Sequence, residues 1–161
     1  MSTQITRAVQ LHYEASAANE QGNVNRAEVL YVESKEIFMQ QGGEHFVDAA
    51  NIMNAIALMK TKHADYDGAL RAAEKSVQIM DDHVVNTPNR KADEIRLQSW
   101  IIIGNIHRHL AHYAEAEQVF QRALDYALNV FGVADEQTTS IFNQLAMLYK
   151  QMGKLETVER F

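Results

Sequence analysis

Seven histidines stand in a chain without cysteine, and the densest group is His107-Arg-His109-Leu-Ala-His112. Imidazoles on one helix share a ligand only at i,i+3 or i,i+4 spacing, so His107 and His109 diverge and His109 with His112 is the pair expected to converge. A structural zinc site wants four ligands, and no thiolate or second matched histidine pair exists to complete one. No metal and no cofactor is implied, and the remaining histidines, His12, His45, His63 and His83, are expected near turns in contact with water. Carboxylates occur in pairs at Asp65/Asp67, Asp81/Asp82, Asp93/Glu94 and Asp135/Glu136. Three of these pairs fall where a helix is expected to begin, and free amides and the helix dipole favour anions there without any catalysis. Asp81-Asp82 falls near a helix end and is expected to pair with a nearby Arg or Lys. Acid–base chemistry needs a closed, desolvating pocket, and no G-x-S-x-G, phosphate-cradling glycine loop or H-E-x-x-H motif is present. The chain is therefore not expected to be an enzyme.

The elements that position these residues are helices. One proline, Pro88, and seven glycines in 161 residues leave long stretches uninterrupted, and apolar residues recur at three and four between the breaks. The pattern predicts helices at 4–21, 24–40, 45–62, 66–84, 88–110, 113–131 and 136–151, with a stub at 155–161. Thr87 is expected to cap the fifth, with Pro88 in its first turn, so that this helix begins about a turn early.

The helices repeat in pairs. Ala27, Ala69, Ala116 and Val158 recur at intervals of 42, 47 and 42, inside similar segments such as Asp65-Tyr-Asp-Gly-Ala69 and His112-Tyr-Ala-Glu-Ala116. Twelve residues before each stands a small residue, Ala15, Ala57, Gly104 or Ala146, and four before that a large one, Leu11, Met53, Trp100 or Phe142. Two helices approach closely only where one side chain is nearly absent, so the four small residues are expected to be buried between helices.

Trp100-x-x-Ile103-Gly104-x-x-His107, followed by Ala116, Phe120 and Ala123, resembles the tetratricopeptide repeat (TPR), with His107 where the family has Tyr. Phe142-x-x-Leu145-Ala146-x-x-Tyr149 matches the same pattern, and Ala18 and Lys60 replace the Tyr in the first two repeats. The 42-residue period and the linkers Gly42-Gly-Glu-His45-Phe46 and Gly132-Val-Ala-Asp-Glu136 are similar to the kinesin-light-chain type, without its linker proline. The resemblance implies an all-α, right-handed helical-repeat solenoid of about three and a half repeats, at 8–42, 50–84, 97–131 and 139–161, in one domain spanning 1–161.

It also implies a concave wall made by the first helix of each repeat. The lining positions are Val9, His12, Ser16 and Asn19; Asn51, Asn54, Leu58 and Lys62; Gln98, Ile101, Asn105 and Arg108; and Ser140, Asn143, Met147 and Lys150. Asn is a poor helix former, so five on one face suggest amides held for pairing with a peptide backbone. The expected function is a protein-interaction module that binds a peptide or partner segment in the groove. A self-associating scaffold, or a regulator of a signalling protein, is the alternative. Lys62, Arg108 and Lys150 recur near helix ends and point to an acidic partner segment. The isoleucines at 101–103 and the unfinished last repeat, ending in Phe161, point to a homo-oligomer. TPR modules that grip the C-terminal carboxylate of heat-shock chaperones use Lys, Asn and Arg where this chain has His12, Ser16, Ala55, Gln98 and Ile102, so that role is not expected.

A net charge of −6 with dispersed cations disfavours nucleic acid. No apolar run approaches the ~20 residues that span a bilayer, and the N-terminus has no signal-type core. The expected location is cytoplasmic.

Overall fold

Five of the seven described helices start at a residue whose side chain accepts from a first-turn amide, whereas Glu44 and His112 precede the other two without such a bond. The computed structural model describes residues 2–84 and 89–153. Its helices are α1 (Thr3–Glu20), α2 (Val24–Gln41), α3 (His45–Lys62), α4 (Tyr66–His83), α5 (Arg90–His109), α6 (Tyr113–Val130) and α7 (Glu136–Met152). No strand occurs among the described residues. Side chains of Ser2, Asn23, Asp65 and Asp135 accept from amides in the first turns of α1, α2, α4 and α7. The amide of Gly68 donates to Asp65 at 3.0 Å, and this bond holds the Asp65 carboxyl below the usual range.

The expected cap at Thr87-Pro88 lies outside the described residues. α5 is capped by Asn89, whose Oδ1 accepts from the Ala92 amide at 3.2 Å, and with 20 residues it is only two longer than α3. The stub at 155–161 also lies outside the described residues.

Three of the turns inside repeats are one structure. The amides of Asn23, Asp65 and His112 donate to the carbonyls of Ala18, Lys60 and His107, at 2.9, 2.9 and 2.8 Å. The amides of Gly22, Ala64 and Ala111 donate to Asn19, Thr61 and Arg108. This double closure is the Schellman ending, and it needs a left-handed residue at its hinge. Gly22, Ala64, Ala111 and Gly153 stand there with φ of 80°, 60°, 61° and 73°, at the same 42, 47 and 42 spacing as the small residues.

The chain forms two compact units, Met1–Arg96 and Leu97–Phe161, with the boundary inside α5. In the first, α1 packs on α2, α2 on α3 and α3 on α4. Leu11, Ile52, Met59, Ile79 and Met80 are fully buried, as are Ala15, Ala27, Ala57 and Ala69 at the register positions. Ser34 Oγ donates to the Ala8 carbonyl at 2.6 Å and Ser76 Oγ to the Ala50 carbonyl at 2.9 Å, so one bond, 42 residues apart, ties each helix pair. Lys60, where the family has Tyr, reaches Glu28 at 3.0 Å and Asp65 at 3.4 Å, and the bond to Glu28 raises its pKa. Asp81 pairs with Arg96, which supplies the cation expected beside that helix end.

In the second unit α6 packs on α7. Gly104 is buried, and a Cβ built there would lie 2.5 Å from the Phe120 ring, so glycine is what admits Phe120. Trp100 is buried edge-on to Tyr126, with the Arg122 guanidinium 5.0 Å from its ring. Tyr149 donates to Glu117 at 3.2 Å and accepts from Gln121 at 2.9 Å, joining α7 to α6. Ala146 departs from expectation and is exposed. The helix that the repeat register would set against it falls in the residues beyond 153, outside those described.

Candidate functional site

The wall positions fall in both units and take different forms in each. In the first unit, Val9 and His12 from α1 and Asn51 from α3 line one pocket of about 170 Å³ with Tyr13, Phe38 and Asp48. The spacing of repeats one and two thus brings three of the expected wall residues together. Phe38, from α2, is buried, whereas the Tyr13 ring is 72% exposed. His12 lies edge-on to Tyr31 with ring centres 5.7 Å apart, and its other ring neighbour is Tyr13 at 6.2 Å. Burial lowers the His12 pKa, and the Asp48 carboxylate offsets part of that. Burial also raises the Tyr31 pKa, opposed by a hydrogen bond to Ser16.

Asp48 is the residue that the register reading missed. It lies one turn before Asn51, in the first turn of α3, and accepts from two sides. Lys91 Nζ lies 2.8 Å from Oδ1 and His45 Nδ1 lies 3.1 Å from Oδ2. His45 in turn stacks on Phe38, with ring centres 5.8 Å apart. His12 and His45 are therefore half-buried members of the site rather than solvated turn residues. The available signal was the i,i+3 spacing of His45, Asp48 and Asn51, which places them on one face of α3.

Asn54 requires a correction. It is 1% exposed, and its amide donates to the Ile95 carbonyl at 3.3 Å. Three residues beyond Asn51, it turns into the contact between α3 and the first turns of α5, so it holds the unit together and is withdrawn from the wall. Leu58, at 48% exposure, and Lys62 are on the surface, while Ser16 and Asn19 are half-buried.

In the second unit Gln98 is exposed, and Ile101, Asn105 and Arg108 are half-buried. Arg108 donates to Asn105 Oδ1 at 2.7 Å, so the expected cation and amide are engaged with each other. Ile102 and Ile103 are buried, and this removes the isoleucine run as an adhesive surface. On α7, Asn143, Met147 and Lys150 are exposed together with Phe142 and Ala146, and Ser140 is half-buried. His107, rather than His109, approaches His112, with ring centres 5.7 Å apart, because the Schellman turn folds His112 back over the His107 carbonyl. Among the described residues no group of three or more His, Cys, Asp or Glu is arranged to hold a metal. No described helix is long and apolar enough to cross a membrane.

Comparison with known proteins agrees with this architecture. Residues 97–129 match the tetratricopeptide repeat family. The chain is 23% identical over 145 residues to the Drosophila melanogaster tetratricopeptide repeat protein 19 homolog, mitochondrial, covering 87% of this chain and 38% of that protein. Among solved structures, BtubC (BKLC) from P. vanneervenii is similar with a TM-score of 0.72 and 18% identity, over 92% of this chain and 63% of that one. The N-terminal domain of stress-induced protein-1 (STI-1) from C. elegans gives a TM-score of 0.64 and 15% identity, over 89% and 98%. With one tetratricopeptide repeat matched at residues 97–129 and its turns and small residues recurring in the same register, the chain has an all-α helical-repeat fold similar to that of tetratricopeptide-repeat proteins.

Proposed function

We propose that the protein is a non-catalytic interaction module, and that it holds an extended partner segment against the exposed faces of α1 and α3. TPR folds generally mediate protein–protein interaction. The observation that carries the finer reading is the convergence of Val9, His12 and Asn51, from two repeats, on one pocket. The Asn51 amide offers a donor and an acceptor to a peptide backbone, and Leu58, two turns along α3, offers an exposed apolar contact. Lys62, at the far end of α3, attracts an acidic residue of the partner, and Arg108 and Lys150 present the same chemistry in the second unit. The cytoplasm is the proposed location.

Selection from a random twelve-residue peptide library, followed by fluorescence titration, tests this reading. Selected peptides are expected to lose at least tenfold in affinity with Asn51→Ala combined with Leu58→Glu, and to bind more weakly as salt rises. Peptides that bind the double variant unchanged would overturn it.

A second reading, self-association, is favoured by one observation. Phe142 at 44% exposure, Ala146 and Met147 at 48% form an exposed small-and-large stripe on α7. Leu11–Ala15 and Trp100–Gly104 have the same spacing and are buried.

A further inference from the structure

The pocket between α1 and α3 contains one kind of charge and three aromatic rings. Asp48 is the charged residue of its lining, and Tyr13, Phe38 and His12 supply the rings. Its volume, about 170 Å³, lies below the roughly 300–1,000 Å³ typical of pockets for drug-sized ligands, and suits a single side chain. We propose that this pocket receives the basic side chain, lysine or arginine, of a partner segment. The inference rests on the peptide-binding reading above and adds the chemistry of one position in the ligand.

Three observations support a cation. An ammonium already sits on this carboxylate, since Lys91 Nζ lies 2.8 Å from Asp48 Oδ1. The Lys91 side chain is 62% exposed, and an exposed pair of that kind contributes little, so a partner cation that also contacts the Tyr13 ring displaces it. Tyr13, at 72% exposure, is the most exposed large apolar side chain described, and it stands at the pocket where a cation would meet a ring face. Burial favours neutral His12, so the lining presents the Asp48 charge uncancelled from that side. Other occupants fare worse. A carboxylate would face Asp48, and an aliphatic side chain would strip water from Asp48, Asn51 and His12 without replacing their hydrogen bonds. The pocket also sets a spacing. Asp48 and Lys62 are fourteen residues apart on α3, about 21 Å at 1.5 Å per residue, a span of about six extended residues. A segment with a basic residue and an acidic residue about six positions away satisfies both ends.

The probes are acetyl-arginine amide and acetyl-lysine amide, with the acetyl-citrulline and acetyl-norleucine amides as uncharged controls, titrated while backbone amide resonances are followed. The charged probes are expected to give saturable shifts at Tyr13, Asp48 and Asn51, and the uncharged ones none. Asp48→Asn should weaken binding at least tenfold and Tyr13→Ala severalfold, the latter at a surface position where folding is unaffected. Lys91→Ala should strengthen binding severalfold by removing the competitor. Equal binding of citrulline and arginine, shifts mapping elsewhere, or affinity unchanged in both Asp48→Asn and Tyr13→Ala would overturn the proposal. The two readings fail separately. Library peptides that need Asn51 and Leu58 but carry no basic residue sink only the pocket, whereas charged probes that bind while no peptide maps to α3 sink only the peptide groove.

Discussion

Ala64 and Ala111 hold a backbone conformation that their side chains disfavour, with φ near +60°, at the hinge where Gly22 and Gly153 stand in the other repeats. A left-handed conformation costs a residue with a Cβ about 1–2 kcal/mol, and glycine gives back part of that gain as unfolded-state entropy. Ala64→Gly is therefore expected to stabilise by about 0.5–1 kcal/mol, raising the melting temperature by roughly 1–4 °C in a chain of this size. Gly22→Ala should do the reverse, and purely through conformation, because a Cβ at Gly22 meets nothing within 4 Å. A melting temperature unchanged in both variants would contradict the strain argument. His12 makes a pH prediction. Its pKa is lowered from 6.5 by burial, so near that pH the folded chain binds fewer protons than the unfolded one. Stability is then full above about 6.5 and declines as pH falls from there through the folded pKa, with Asp48 opposing the effect. Denaturant titrations at pH 7.5 and 5.5 should show a smaller pH effect in His12→Gln than in the parent.

Among helix pairs, the decisive contact is Gly104 against Phe120. Glycine inside a helix is ordinarily worse than alanine by about 1 kcal/mol, so propensity alone predicts that Gly104→Ala stabilises. The structure reverses the sign. A new Cβ would lie 2.5 Å from the ring of Phe120, which is fully buried and cannot swing away. Gly104→Ala is expected to destabilise by about 1–3 kcal/mol and Gly104→Leu by more, with Phe120→Leu recovering part of the loss in the alanine variant. Additive losses in the double variant would show that the two positions do not meet. This contact was legible in the sequence, since the alternation of large and small residues at fixed register marks Gly104 as a close approach. The hydrogen bonds of Ser34 and Ser76 to the opposing helix were not. A serine in a helix reads as an ordinary polar residue until the carbonyl of Ala8 or Ala50 is known to face it.

For the molecule as a whole, the exposed stripe of Phe142, Ala146 and Met147 makes an assembly prediction. If copies pair through it, light scattering should show mass rising with concentration, burying more than ~1,000 Å² in a specific dimer, and Met147→Lys should return the chain to monomer. A parent that stays monomeric at high concentration removes the self-association reading. The sequence by itself determined the helices, their pairing and the repeat register, because these rest on periodicity and on residue size, both of which are local properties of the chain. It placed the boundaries of α1 to α4 within one residue of those observed and marked Ala15, Ala57 and Gly104 as buried. Register also placed Asn51 and His12 on facing elements, but it assigned Asn54 to the same wall. Only the tertiary structure decided that Asn54 turns inward to the Ile95 carbonyl, while Asp48 lines the pocket and pairs with Lys91 and His45. The physical reason is that a register counts positions along one helix, whereas the fate of a polar side chain depends on which carbonyl or cation a distant segment brings within hydrogen-bond reach. Asn54 meets a residue 41 positions away and Asp48 one 43 positions away, and nothing in the local sequence encodes either meeting.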